Sequence, residues 1–582
     1  MMGNIVTSSI WSRVKSDLRP FSGRWEQSWR IALLCALMTL VAMTYQIPEA
    51  AISCYVIFFV MKSDAAESTV LALALVVLVS IVILALVGLV NLTIDSPPAR
   101  LTALVVSSLF FLFLGAASRL GPLGGIIALV IAFVLTLLMY VPVGELATRA
   151  LLYAWLMVAA PMALVVGFNL LVGRQPKHVL VNELIERLQL AAMALEGQAP
   201  TTALRQNLAL GVEAQQKRLK WLKAFHLVPT TTYKWLDAAV LQSYRILLAV
   251  LALRNQQQTE HNVELAAACR AAAHDLAQGR RPQLWSFTQS YTTNSAAHEI
   301  KTALMALASE DKPPVIPEEK RPFFAADALT NPIYQQIAIK ATGAAVLCYL
   351  IYSAIDWQGI HTAMITCYVA ALGSTGETIH KLFLRIVGCL IGALFGAVVL
   401  LLFMPYMISV GALMIAVFAV CLLAAWVALG SERISYAGIQ IAFAFLLITL
   451  QGFGPDIDLS VARDRVVGIL LGNVVMYLVF THIWPQSVMR SVQRRLQVIE
   501  NKLQTLRQQS TQNKAAAVQC AAGIAQELAW VKYEFGLVLL EPNDLRPAAT
   551  VIKQTRAQIK QLQQRFEQRG LLTGGSEKLA LV

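Results

Sequence analysis

Residues 361–369 read HTAMITCYV, and residues 48–56 read PEAAISCYV. At an offset of 313, Ala50 falls on Ala363, Ile52 on Ile365, Ser53 on Thr366, Cys54 on Cys367, Tyr55 on Tyr368 and Val56 on Val369. A stretch carried twice is the trace of a duplicated unit. Both copies lie in short apolar runs, 50–61 and 362–372, whereas a helix crossing a hydrocarbon core of about 30 Å needs about 20 residues.

The whole chain answers what kind of unit was duplicated. Mean hydropathy is +0.61 and 14% of the 582 residues are charged, against about a quarter in soluble domains. This composition describes a polytopic membrane protein. The net charge of +13 invites a nucleic-acid reading, but its distribution argues otherwise. Lys plus Arg outnumber Asp plus Glu by 5 to 2 in residues 1–30, 18 to 14 in 173–330 and 14 to 7 in 485–582. The basic surplus therefore lies outside the apolar blocks, as positive-inside topology requires. No groove-reading motif accompanies it, so nucleic acid is excluded as a partner. The eight cysteines form no CxxC pair and have no His at zinc spacing, which reads as small buried hydrophobes, with no metal and no cofactor.

Apolar runs at 29–45, 50–61, 68–90, 101–117, 123–141 and 147–172 are followed by a second series at 337–355, 362–372, 382–404, 410–429, 436–450 and 466–484. The expected fold is all-α: twelve transmembrane helices as two six-span repeats. The domains expected are a cytoplasmic tail (1–28), the first repeat (29–172), a helical cytoplasmic domain (173–330), the second repeat (331–484) and a helical cytoplasmic C-terminal domain (485–582). Lys62, Arg119, Lys381 and Arg433 fall on the inner side, and Glu49, Asp95, Asp356, Asp456 and Asp458 on the outer. Both termini are then cytoplasmic, and six spans per half make the repeats parallel. Arg100, Arg149, Arg463 and Arg465 are exceptions, placed near the outer ends of spans. The insert shows helical periodicity at 179–195, 203–225, 233–254, 262–277 and 296–309, and the tail at 488–509, 514–538 and 548–568, with a break at the loop DKPPVIPEEKRP. Their basic faces suit solvent and anionic headgroups.

No GxxxxGK[ST] loop marks an ATP-driven motor, and no HExxH or GxSxG motif marks an enzyme. GSTGET at 373–378 has the capping-box spacing Ser374 to Glu377, and Asp64 to Glu67 repeats it in the first half, so each starts a third span. The two short second spans either line a cavity or are continued by flanking residues into the headgroup region. On the first reading, Cys54, Tyr55, Cys367 and Tyr368 face a substrate pathway. Lys340, Arg385, Arg149 and Arg465 lie within spans, where a charge either snorkels or lines a wet cavity; together they make a path for carboxylates. Free Asp and His side chains titrate near 3.9 and 6.5, so Asp356 and His361, in IDWQGIHT, form either a capped turn or a proton-coupling pair, with Asp464 able to offset Arg465.

NPIYQQIAIK, YSAIDWQGIHTAMITCYVA, FLRIVGCLIGALFG, GSERISYAGIQ and ARDRVVGILLG together resemble the fusaric acid resistance family of aromatic acid exporters, in its branch of multidrug efflux inner-membrane components. The resemblance is strongest over 331–484. It implies an inner-membrane exporter of aromatic carboxylates or amphipathic drugs, proton-coupled, in a tripartite pump with a periplasmic membrane-fusion adaptor and an outer-membrane channel. Six-span halves are also similar to plant malate channels, which leaves a passive organic-anion channel as the alternative. The internal repeat either stands in for a dimer or is one member of a homo-oligomeric ring.

Overall fold

The computed structural model describes residues 17–93, 96–137, 144–255, 262–288, 291, 295–309, 322–371, 373–453 and 458–569. Asp95, Asp456, Leu372, residues 1–16 of the tail and residues 311–321 of the proline-rich loop lie outside them. Among the described residues the chain is helical, with no strand and one isolated bridge between Ser118 and Phe324. It forms two compact units, one of residues 1–173, 321–486 and 540–542, the other of 174–320, 487–539 and 543–582.

The first unit begins with α1 (Arg24–Tyr45), α2 (Ala50–Val60), α3 (Ala65–Thr93), α4 (Pro97–Ala117), α5 (Pro122–Leu137) and α6 (Gly144–Val172). The second unit takes α7 (Pro176–Leu195), α8 (Thr201–Ala209), α9 (Glu213–Ala224), α10 (Thr230–Asn255), α11 (Asn262–Ala277) and α12 (Ala296–Ala308). The first resumes with α13 (Pro332–Ala354), α14 (Thr362–Ala370), α15 (Thr375–Val398), α16 (Val410–Ala428), α17 (Ser435–Thr449) and α18 (Ser460–His482). The second is completed by α19 (Val488–Gln512), α20 (Lys514–Leu537) and α21 (Ala549–Arg569).

Nine described helices are long and apolar enough to cross a membrane: α1, α3, α4, α6, α10, α13, α15, α16 and α18. Eight belong to the first unit. The ninth, α10, is the core of the second unit, with Leu236, Val240, Tyr244, Leu247 and Val250 fully buried. The other apolar helices of the first unit are short: α2, α5, α14 and α17. At 11 and 9 residues, α2 and α14 span about 16 and 14 Å at 1.5 Å per residue. Neither is a surface element, for Cys54, Ile57, Ala363, Met364 and Cys367 are wholly buried.

Packing in the first unit comes in matched pairs. Helix α1 lies on α16 as α13 lies on α4, α2 lies on α17 as α14 lies on α5, and α3 lies on α6 as α15 lies on α18. The starts of α4 and α16, at 97 and 410, and of α5 and α17, at 122 and 435, keep the 313-residue offset. Cys35 and Cys348 keep it too, and each meets the cysteine of its short helix: Cys35 Sγ donates to the Cys54 carbonyl at 3.7 Å, and Cys348 Sγ lies 3.6 Å from Cys367 Sγ. Small residues bring the helices together. A Cβ on Gly388 would lie 2.6 Å from the Ala437 carbonyl and one on Gly396 2.8 Å from Ile448, and Gly392 between them presses on Ile441, so α15 meets α17 backbone to backbone. Both expected caps form: Glu377 N–H donates to Ser374 Oγ at 3.4 Å within a full capping box, and Glu67 N–H to Asp64 Oδ1 at 2.8 Å. Past Val398, α15 continues as a π turn to Phe403 and a 3₁₀ turn to Tyr406.

In the second unit the helix expected over 203–225 is two helices. Gly211 breaks it at φ +66°, where the Gln526 side chain occupies the space a Cβ would need. Arg187 Nη2 donates to the freed Gly211 carbonyl at 2.7 Å.

Candidate functional site

The first unit carries two polar clusters in its interior. The first surrounds Arg385, which α15 places against α17. Its side chain is 1% exposed. Arg385 Nη1 donates to Tyr436 Oη at 3.0 Å and to Gln440 Oε1 at 3.2 Å, while Nε, Nη2 and the Gln440 amide nitrogen have no acceptor among the described residues. No carboxylate pairs with the guanidinium among the described residues. One turn earlier, Lys381 Nζ donates to the Val369 carbonyl at 2.6 Å and lies 5.0 Å from the Tyr436 ring centre. Tyr55 comes from short helix α2. Its ring is 4.4 Å from that of Phe443, and its hydroxyl is within electrostatic reach of Arg385, Tyr436 and Gln440. A buried guanidinium with unmet donors is costly to hold unless an acceptor visits it. The chemical capacity of the cluster is to accept an anion, with aromatic rings alongside.

The second cluster joins α14 to α18. Arg465 Nη1 lies 2.6 Å from His361 Nε2, while His361 Nδ1 lies 3.0 Å from the Gln358 carbonyl. A carbonyl only accepts and a guanidinium only donates, so the ring carries its proton on Nδ1, is neutral, and accepts through Nε2. Its face is 5.6 Å from Phe133 of α5. Glu49 and Asp464 are within electrostatic reach of Arg465. Asp464 pairs at 3.0 Å with Arg463 and leaves no room for a side chain at Gly359.

The remaining candidates make other contacts, although Cys367 is also within electrostatic reach of Arg385. Lys340 is buried in α13, where Nζ donates to the Trp484 carbonyl at 3.2 Å and sits 4.5 Å from the Phe480 ring centre. Arg149 is 67% exposed and pairs with Glu145, four residues back, at 2.6 Å. Asp356 is exposed in a left-handed turn at φ +49°. Tyr368 reaches from α14 to α4, its Oη 2.7 Å from Ser108 Oγ. Cys54 and Cys367 are buried in the thiol contacts described above.

Sequence reasoning assigned no role to Tyr436 and Gln440, although both lie in GSERISYAGIQ; the signal was a glutamine inside an apolar run. Phe133 and Ser108 gave no signal, being ordinary residues until folding sets them beside His361 and Tyr368. No three His, Cys, Asp or Glu side chains gather to hold a metal ion among the described residues.

Among the described residues, all-helical structure with eight membrane-length helices in one unit, and buried cations among them, defines a multi-pass membrane protein. Residues 336–570 match the fusaric acid resistance protein family. The chain is 30% identical over 501 residues to "Multidrug resistance protein MdtO" of Escherichia coli strain K12, covering 83% of this chain and 72% of that protein. It is 29% identical over 503 residues, with the same shares covered, to the protein of that name in Shigella flexneri. This chain belongs to the fusaric acid resistance protein family. No solved structure matches it.

Proposed function

We propose that the chain is an inner-membrane secondary exporter of aromatic carboxylates or amphipathic drugs, built as two parallel six-span halves with the pathway between them. The observation that carries this reading is the buried Arg385 guanidinium, whose Nε and Nη2 lack acceptors among the described residues. A substrate carboxylate supplies those acceptors, and Tyr55 and Phe443 stack beside its ring. Matched packing and the recurring 313-residue offset support the two halves. Because α2 packs on α17 and α14 on α5, each short helix belongs to a contact between halves, and movement of one half carries the other's short helix with it.

His361 supplies the proton coupling. A proton on Nε2 removes the acceptor that holds Arg465 and sets two cations side by side. Arg465 then turns towards Glu49 and Asp464, and the start of α14 comes free of α18. Lys340 keeps the pathway electropositive from α13, while Arg149, exposed and paired, has no part in it. The insert and the tail lie in the cytoplasm with both termini. A periplasmic adaptor and an outer-membrane channel complete the pump, as the resemblance to the efflux branch suggests, and MdtO's name as a multidrug resistance protein accords with drugs among the substrates. Purified protein in liposomes tests the reading: an imposed pH gradient drives benzoate across the membrane faster than in protein-free liposomes, which the neutral acid crosses unaided. Benzoate movement indifferent to the gradient removes the coupling, and currents far exceeding one ion per conformational cycle select a channel.

A further inference from the structure

A cavity of about 370 Å³ opens between α4, α5 and α13, within the size range of small-molecule sites. Most of its wall is apolar: Leu104 and Leu135 are buried, and Leu350 is half exposed. Four polar side chains interrupt that wall: Arg100, Tyr349, Ser353 and Thr136, whose Oγ1 donates to the Phe133 carbonyl at 2.8 Å. Arg100 stands in the first turn of α4, where the helix dipole adds to its charge, and it has no ion pair among the described residues. Ser353 Oγ is buried without a hydrogen-bond partner among the described residues, and Tyr349 lies one turn before it on α13.

The duplication shows that Arg100, Tyr349 and Ser353 are not part of the common frame. At the 313-residue offset, Arg100 corresponds to Leu413, Ser353 to Leu40 and Tyr349 to Ala36. The packing of α1 on α16 matches that of α13 on α4 yet has an apolar residue at all three places. The cation and the hydroxyl therefore belong to one side alone and are not required to hold the helices together.

We infer that this cavity is a second anion site, separate from Arg385, which takes an amphipathic monoanion. Its charged head rests on Arg100 and accepts from Ser353 O–H, and its apolar body lies along Leu104, Leu135 and Leu350. Two ligands share this chemistry: a free carboxylate with an aromatic or alkyl body, and the headgroup and upper chains of an anionic lipid. The inference does not rest on transport through the Arg385 cluster.

Labelling of one introduced thiol tests it. Leu101 lines the cavity and is partly exposed, and seven of the eight native cysteines are buried, Cys520 being the exception. The full chain carrying L101C and C520S, in nanodiscs of phosphatidylcholine, is exposed to a water-soluble maleimide with and without benzoate. Benzoate slows labelling about fivefold or more, R100Q cancels the protection and R100K restores part of it, as expected where one charge-assisted contact holds the head. If nanodiscs of phosphatidylglycerol slow labelling without benzoate, and R100Q reverses that, the occupant is lipid. Protection that persists in R385Q separates this site from the central one. Equal labelling in every condition, protection indifferent to R100Q, protection lost in R385Q, or no labelling at all overturns the inference. Size-exclusion elution unchanged by each substitution confirms that the folded protein is being compared.

Discussion

Arg465 donates to His361 Nε2 across 2.6 Å, and this bond ties the start of a nine-residue helix to the last long helix of the membrane unit. Protonation of the ring is incompatible with it. His361→Gln retains an acceptor for Arg465 but takes up no proton. Benzoate transport by this variant, measured in proteoliposomes between pH 4 and 8 against protein-free liposomes, loses the pH dependence of the wild type while retaining a rate of the same order. A pH profile unchanged by the substitution removes His361 from the coupling.

Gln440 and Tyr436 both accept from Arg385 Nη1, at 3.2 and 3.0 Å. Gln440→Leu leaves the buried cation with one neutral partner. The expected loss is about 1.5–3 kcal/mol, the range for a hydrogen bond to a charged group, and it is read as a lowered unfolding temperature in detergent. Tyr436→Phe costs a similar amount, since it too leaves one neutral partner, Gln440.

Glycine contacts are what allow α18 to approach α14. A Cβ on Gly472 would lie 2.6 Å from the Ala363 carbonyl and 2.7 Å from Thr366 Cβ. Gly472→Leu therefore forces the two helices apart, at a cost of about 1–3 kcal/mol or more, and reduces the yield of monodisperse protein. Gly343→Leu on α13, where nothing lies within 4 Å, is tolerated.

In the second unit, Arg245 Nε donates to Glu299 at 2.5 Å, and Lys514 lies 3.5 Å from the other carboxylate oxygen. Burial raises the Glu299 carboxyl, but Arg245 and Lys514 together outweigh it and hold the group below the usual carboxylate range. The unfolded chain therefore binds this proton more readily than the folded one does. The stabilisation is complete above the unfolded value of about 4.3 and is lost as pH falls below it. Stability measured between pH 6 and 3 falls in the wild type and is flatter in Glu299→Gln. Glu299→Ala strands a buried guanidinium, at about 3–5 kcal/mol.

Much of the fold was legible because a membrane helix writes itself as an apolar run. The duplicated HTAMITCYV motif pointed to the short helices, and Ser374 with Glu377 marked the start of α15. Less visible were the other short helices, α5 and α17, whose apolar runs look ordinary until packing with α14 and α2 shows that each short helix meets another. The break at Gly211 was missed because helical periodicity continues on both sides of it, and only Gln526, more than 300 residues away, reveals the constraint. Charge within apolar runs pointed to Arg385 and Arg465. It did not separate them from Arg149, for whether a cation snorkels or is enclosed depends on which neighbours cover it. Asp464 shows the same limit: sequence placed it beside Arg465, and folding gave its ion pair to Arg463.

The central claim is that Arg385 receives the substrate's carboxylate, and [¹⁴C]benzoate counterflow in proteoliposomes tests it most directly. Arg385→Gln, shown to be folded by size exclusion and an unchanged helical circular dichroism spectrum, is expected to lose at least about tenfold in rate, equivalent to about 1.4 kcal/mol. Arg385→Lys, which keeps the charge but not the planar donor set, is expected to fall between Arg385→Gln and the wild type. Counterflow by folded Arg385→Gln at the wild-type rate contradicts the account.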